Sequence, residues 1–224
     1  MEHYRLIRTQ RKTLALQVSV EGELIVRAPK NLPRARVEAF VAEKKSWIKR
    51  ARQRLAARKK PLPLTLEEGE SVPFLGTALT LRLKEEISDG QREGDTLFLP
   101  KGDVNLRKQA LIAWYKRMAQ PLFETVIDEH FPYFAERGYS RPTLYIKNMK
   151  TRWGSLSTKG NMSLNVALMQ LPPECLHSVV VHELCHLVHM NHSSAFYALL
   201  SERYPRWRES DELIKKTPIL PLAG

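Results

Sequence analysis

Between Val179 and His192 the chain reads V-V-V-H-E-L-C-H-L-V-H-M-N-H, which contains H-E-x-x-H. On a helix His182 and His186 stand four residues apart, so both imidazoles leave one face about one turn apart. A ring nitrogen sits about 2.0–2.1 Å from a zinc ion, and this spacing lets two of them grip one metal. Glu183 is offset by one position. Its carboxylate is placed to take a proton from water on the metal rather than to share the grip. Four of the seven histidines, His182, His186, His189 and His192, fall within eleven residues. That density argues against an ordinary core helix with two surface histidines.

A catalytic zinc normally keeps three protein ligands and one open position. His189 shares the face of His182, but seven helical residues rise about 10.5 Å, too far for convergence. His192 can converge if the helix ends first. Asn191 is expected to be a left-handed stop that turns the chain back toward the metal. Ser193 or Ser194 would then cap a helix over Ala195–Arg203. His192 is therefore the expected third ligand, with His189 on the cleft wall. The rival third ligand is Glu202, on the following helix.

A zinc-bound water has a pKa near neutrality, and the metal polarises a substrate carbonyl. Glu183 as general base would pass the water's proton to the leaving amine. The oxyanion formed by attack needs a further donor, for which His189, Tyr197 and Arg152 are candidates. The edge of a strand near Asn161–Val166 is expected to hold an extended peptide backbone. Cys185 lies between the two helical histidines and points away from both, so it reads as a small core residue.

Several ordered motifs accompany the histidines. They are Arg152-Trp153-Gly154-Ser155, Leu164-Asn165, His182 to Leu187, and Asn191-His192-Ser193 with Phe196-Tyr197. Further towards the N-terminus come Arg11 to Leu16, Val26-Arg27-Ala28-Pro29 and Phe74-Leu75-Gly76. Together they resemble the YgjP-like metallopeptidase family, whose core is similar to the SprT-like and WLM zinc proteases. The resemblance implies Zn²⁺ held by His182, His186 and His192, with Glu183 catalytic and a peptide or protein as substrate. Two positions depart from the family pattern: Leu156, where a cysteine commonly stands, and Val166, where an aromatic does.

The elements that must position these residues follow from periodicity. Pro172-Pro173 opens the metal helix. Pro142–Lys147 and Asn161–Ala167 read as strands, and Val104 to about Arg137 as a helix kinked or divided at Pro121 and stopped by Gly138. Ser71–Leu75, Leu79–Leu83 and Thr96–Leu99 read as short strands. Residues 4–28 alternate as a hairpin turning at Glu21-Gly22. Val37, Phe40, Val41, Ile48, Ala51 and Leu55 form the apolar stripe of one long helix from Arg34 to Lys60. The expected class is α+β. A β-rich region over 1–100, with the basic helix 34–60, precedes a zincin-like metallopeptidase core over 101–224.

With 224 residues and 43% hydrophobic content, the chain can bury a substantial core. It has no run of about 18 apolar residues, and Met1–Lys12 is polar and basic, so no membrane partner and a cytoplasmic location are expected. Two cysteines, Cys175 and Cys185, exclude a disulfide scaffold. The net charge is +12, from 36 Lys and Arg against 24 Asp and Glu. Arg27–Lys60 carries 13 Lys and Arg against two Glu, a local +11. That segment is expected to attract a polyanion such as nucleic acid without sequence preference. The alternative to a peptidase is thus a zinc-containing nucleic-acid-binding module acting, for instance, on DNA-bound proteins. Glu183 speaks for the peptidase, because a structural zinc site closes its fourth position with a ligand and has no use for a free carboxylate.

Overall fold

The computed structural model describes residues 2–19, 22–57 and 62–223. The chain is α+β and divides into two compact units, residues 1–59 and 60–224. The division falls well before the expected boundary at residue 100.

In the first unit, strands β1 (Arg5–Thr9), β2 (Ala15–Val18) and β3 (Leu24–Pro29) form a sheet in the order β1-β3-β2. The expected hairpin is present: β2 runs antiparallel to β3, with Val18 opposite Leu24. Of its expected turn, Glu21 lies outside the described residues, while Gly22 takes a φ of +85°, which a glycine adopts without strain. The parallel pairing of β1 with β3 carries no local sequence signal. The expected single basic helix is two, α1 (Arg34–Glu43) and α2 (Lys45–Ala57), interrupted at Lys44. Residues 58–60 of the expected span lie outside the described residues. Val37, Val41 and Ile48 from the predicted stripe are buried with Leu24, Val26 and Ala28 of β3. The break at Lys44 lets the two short helices each present these residues to one small sheet.

The second unit contains two sheets around a long helix. Strands β4 (Ser71–Phe74), β5 (Thr77–Lys84), β6 (Gln91–Glu93) and β7 (Thr96–Pro100) pair in the order β4-β5-β7-β6. In β5 and β7 the alternating residues Leu79, Leu81, Leu97 and Leu99 are buried, the period-two pattern of a half-covered sheet. They share one core with Trp114 and Tyr115 of α3 (Val104–His130) and Leu176 and Val180 of α5 (Pro173–Cys185). Phe74 packs on Trp114 with ring centroids 5.0 Å apart. A boundary at residue 100 would cut through this core, so β4–β7 belong with α3 and α5.

Asp103 caps α3 by accepting from the Leu106 amide at 2.8 Å. The helix continues through Pro121 to His130, undivided, before the short α4 (Pro132–Ala135) and the turn at Gly138. The second sheet has the order β8-β10-β9, from β8 (Thr143–Lys147), β9 (Gly154–Leu156) and β10 (Asn161–Asn165). A buried 3-10 turn, Val166–Gln170, leads to α5, which starts on Pro173 with Glu174 in its first turn. Both suit a helix N-terminus. Upstream, the F-L-G turn abuts that start. Gly76 has φ +79°, and a Cβ there would meet Pro172 Cα at 3.0 Å. Helices α6 (Ser194–Arg203) and α7 (Trp207–Lys216) complete the unit. The tail beyond α7 is pinned by Gln170, whose Oε1 accepts from the Leu220 amide at 2.7 Å. Among the described residues no helix is long and apolar enough to cross a membrane.

Candidate metal centre

The α5 helix is buried on most of its circumference, through Cys175, Leu176, Val179, Val180, Val181, Leu184 and Cys185. The side bearing His182 and His186 opens towards other polar groups. The helix ends at Cys185, earlier than expected. Residues 186–188 tighten into i→i−3 hydrogen bonds to Glu183, Leu184 and Cys185 at 2.9–3.1 Å, a common way to close a last turn. The expected left-handed stop at Asn191 is absent, since among the described residues the non-glycine positions with positive φ are Leu66, Leu75 and Glu86. The tightened turn and the segment after it return the chain instead. Ser193 then caps α6, accepting from the Phe196 amide at 3.4 Å.

This route brings His192 back to the helix. His182, His186 and His192 form a group whose ligand nitrogens all lie within 4.8 Å of one another. The Nε2 atoms of His182 and His192 are 3.0 Å apart. His186 Nδ1 lies 2.9 Å from the His189 carbonyl oxygen. A carbonyl only accepts, so Nδ1 carries the proton and the Nε2 lone pair is left free. His189 thus acts on the site through its backbone. Glu202, the rival ligand, is outside the group, exposed, and 3.9 Å from Arg203.

Phe196 is the floor of the cluster. It is fully buried, with its ring centroid 4.9 Å from His182, 4.7 Å from His186 and 4.8 Å from His192. Phe196 stands in the Asn191-His192-Ser193 and Phe196-Tyr197 motif, where its residue type alone gives no sign of this task. Tyr197 lies beside His192 at 6.1 Å and stacks on Trp207 at 5.5 Å. Burial, then the neighbouring His186 and His192, holds the His182 imidazole down at a pKa of about 4. Burial lowers His186 also. Both rings therefore keep their lone pairs at neutral pH.

Glu183 is buried and lies against β9. A Cβ on Gly154 would come within 2.5 Å of its Oε1 and 2.8 Å of its Cγ. A larger residue there would push the carboxylate aside, which gives the third residue of R-W-G-S a reason to be glycine. Burial raises the Glu183 carboxyl to about 7, opposed by a hydrogen bond from the Leu156 backbone and by the charge of Arg152. Its Oε2 is buried without a protein partner, an uncommon and costly state for a carboxylate oxygen.

Asn165 of the L-N pair holds the loop that presents Gly154. Its Nδ2 donates to the carbonyls of Met149 at 2.8 Å and Arg152 at 2.9 Å, and its Oδ1 accepts from the Ala167 amide at 3.1 Å. Its own amide donates to the Trp153 carbonyl at 2.8 Å. The strand edge expected at Asn161–Val166 is not free. β10 is central, pairing with β8 on one side and β9 on the other. The outer strand beside Glu183 is β9. Cys185 is fully buried with its thiol pushed up to about 12 by burial, in keeping with a core role.

The family model for the YgjP-like metallopeptidase domain matches residues 12–217. No curated protein matches the chain. Among solved structures, the metallopeptidase zymogen abylysin of Pyrococcus abyssi is 25% identical with a TM-score of 0.37, over 43% of this chain and 99% of that one. The zymogen jannalysin of Methanocaldococcus jannaschii is 25% identical with a TM-score of 0.35, over 41% and 89%. With the family model spanning nearly its whole length, the chain belongs to the YgjP-like metallopeptidase family.

Proposed function

We propose that the protein is a zinc-dependent peptidase in which His182, His186 and His192 hold the metal and Glu183 is the general base. The observation that carries this reading is the convergence of three imidazoles beside a buried carboxylate with one unpartnered oxygen. The donor set fits zinc: three imidazoles, one of them fixed in its tautomer by the His189 carbonyl, are the ligands of an open catalytic site. Bound zinc supplies Lewis acidity, activating water and polarising a carbonyl.

The chain's own residues do the rest. Glu183 Oε2 accepts the proton of the attacking water and returns it to the leaving nitrogen. Gly154 and the Leu156 backbone fix that carboxylate against β9, so the proton acceptor is already oriented. β9, as an outer strand beside Glu183, is suited to align an extended peptide by backbone hydrogen bonds. Arg152 is exposed and near enough to Glu183 to bias its charge. It and Tyr197 are the side chains we assign to the oxyanion. The ligand set is tested by metal content: His192→Ala should lose one equivalent of zinc as readily as His182→Ala or His186→Ala, whereas Glu202→Ala keeps it. Full zinc content in His192→Ala, with an equivalent lost by Glu202→Ala, overturns the assignment.

A second property is supported by the first unit. Arg36, Lys45, Lys49 and Arg50 of α1 and α2 are exposed and have no carboxylate partner among the described residues. Such a surface suits a nucleic-acid backbone. Arg52, by contrast, is half-buried and paired with Glu2 at 3.0 Å, and Lys59 lies outside the described residues.

A further inference from the structure

A second histidine cluster lies apart from the first, where the end of α3 meets the N-terminal half of α5. His130 Nε2 and His177 Nδ1 are 2.9 Å apart. Glu129 Oε1 is 3.9 Å from each of those nitrogens. The rings stand at 90° with centroids 5.2 Å apart, so two in-plane lone pairs can meet at a point off both rings. We infer that Glu129, His130 and His177 form a second metal site, for zinc or another divalent ion that prefers imidazole, which ties α3 to the helix presenting His182 and Glu183.

The geometry of the first cluster supports this. There two imidazole nitrogens also face one another, at 3.0 Å. Tetrahedral ligands at about 2.0–2.2 Å from zinc stand roughly 3.4 Å apart, between the 2.9 Å and 3.9 Å found here. Glu129 is the side chain that must move, and its carboxylate is exposed, 57% by area, so it is free to close the gap. The two histidines are mostly buried, at 18% and 26%, which fixes their rings while Glu129 leaves a path from solvent. One carboxylate with two imidazoles selects zinc-like ions over calcium or magnesium, which take oxygen ligands. Burial also disfavours the charged form of His130, with His177 and Arg203 acting in the same direction against Glu129, so its lone pair is available near neutral pH. The competing arrangement is a plain hydrogen bond between two neutral imidazoles, one donating and one accepting.

The test uses the full chain, stripped of metal and titrated with Zn²⁺ by calorimetry, with the thermal midpoint followed at each ratio. Wild type should take up two equivalents. His192→Ala should keep one, and that equivalent should still raise its midpoint. The double variant His130→Gln, His177→Gln should keep one and lose this second rise. Glu129→Gln, on the surface and unable to disturb the core, should weaken the second equivalent by about 10-fold or more, since even outer partners of metal ligands act on that scale. A single equivalent in wild type that is lost in His192→Ala means the pair is hydrogen-bonded only, and overturns the site; one that His192→Ala keeps and the double variant loses removes the first centre instead. So does a second equivalent with unchanged affinity in the double variant or, should that variant not fold, in Glu129→Gln.

Discussion

Around α5 the three histidines and Glu183 are set by side chains and backbone packed behind them, whereas along α1 and α2 the charge sits on exposed faces. Phe196 supports three imidazoles, Gly154 receives the Glu183 carboxylate, and Asn165 holds the loop that carries Gly154. Among the residues of α1 and α2 whose burial is described, Val37, Val41 and Ile48 are buried, and Arg36, Lys45, Lys49 and Arg50 face solvent. Chemistry at one point needs sub-ångström placement, which packing supplies. Attraction to a polyanion needs only a density of charge. Substitutions should therefore act sharply in the second unit and gradually in the first.

The largest effect should come from the floor of the site. Phe196→Ala removes a fully buried ring and should cost about 3–5 kcal/mol of stability, read as a fall in the denaturation midpoint, with weaker zinc binding in the protein that still folds. A midpoint near wild type would mean that the histidines are held from elsewhere. Next comes Gly154→Ala. Its Cβ would collide with the Glu183 carboxylate at 2.5 Å, so turnover should fall by about 10²-fold, the scale of an ångström's misplacement. Zinc content should not change, because no ligand moves. Full activity in this variant would place the working position of Glu183 away from β9.

The smallest effect on stability should come from the first unit. Arg36→Glu, Lys45→Glu, Lys49→Glu and Arg50→Glu together should shift stability by no more than about 0.5 kcal/mol for each position, as surface changes do, and leave peptide hydrolysis intact. Binding to duplex DNA should nevertheless collapse. In wild type it should be independent of sequence and fall steeply with salt, each contacted phosphate adding about −0.9 to the log–log slope. Equal DNA binding by the two proteins, or none by wild type, removes the polyanion role and leaves a solvated face.

How far the sequence reaches differs between the regions for the same reason. The helix carrying H-E-x-x-H and the meeting of His182, His186 and His192 were legible because i and i+4 spacing is local, and the need of the proposed metal for a third ligand pointed past the helix to His192. The means of return was misplaced. Asn191 suggested a left-handed stop, but the helix tightens at residues 186–188, a change in hydrogen bonding that no residue type announces. Phe196, Gly154 and Asn165 were visible as motif letters, yet their tasks depend on contacts between β9, β10, α5 and α6 that are distant in sequence. The boundary at residue 100 failed because the leucines of β5 and β7 signal a half-buried sheet without saying what covers it; α3 does. Likewise, a continuous apolar stripe over 34–55 did not betray the break at Lys44.

The central claim is that one buried carboxylate beside three converging histidines performs the hydrolysis. The most direct measurement compares wild type with Glu183→Gln for zinc content and for cleavage of a broad set of peptides and unfolded proteins. Glutamine keeps the shape and the packing against Gly154 but cannot accept the proton. The variant should retain its zinc and lose turnover by about 10²-fold or more, the usual scale for a general base. Unchanged turnover with zinc in place would contradict the account.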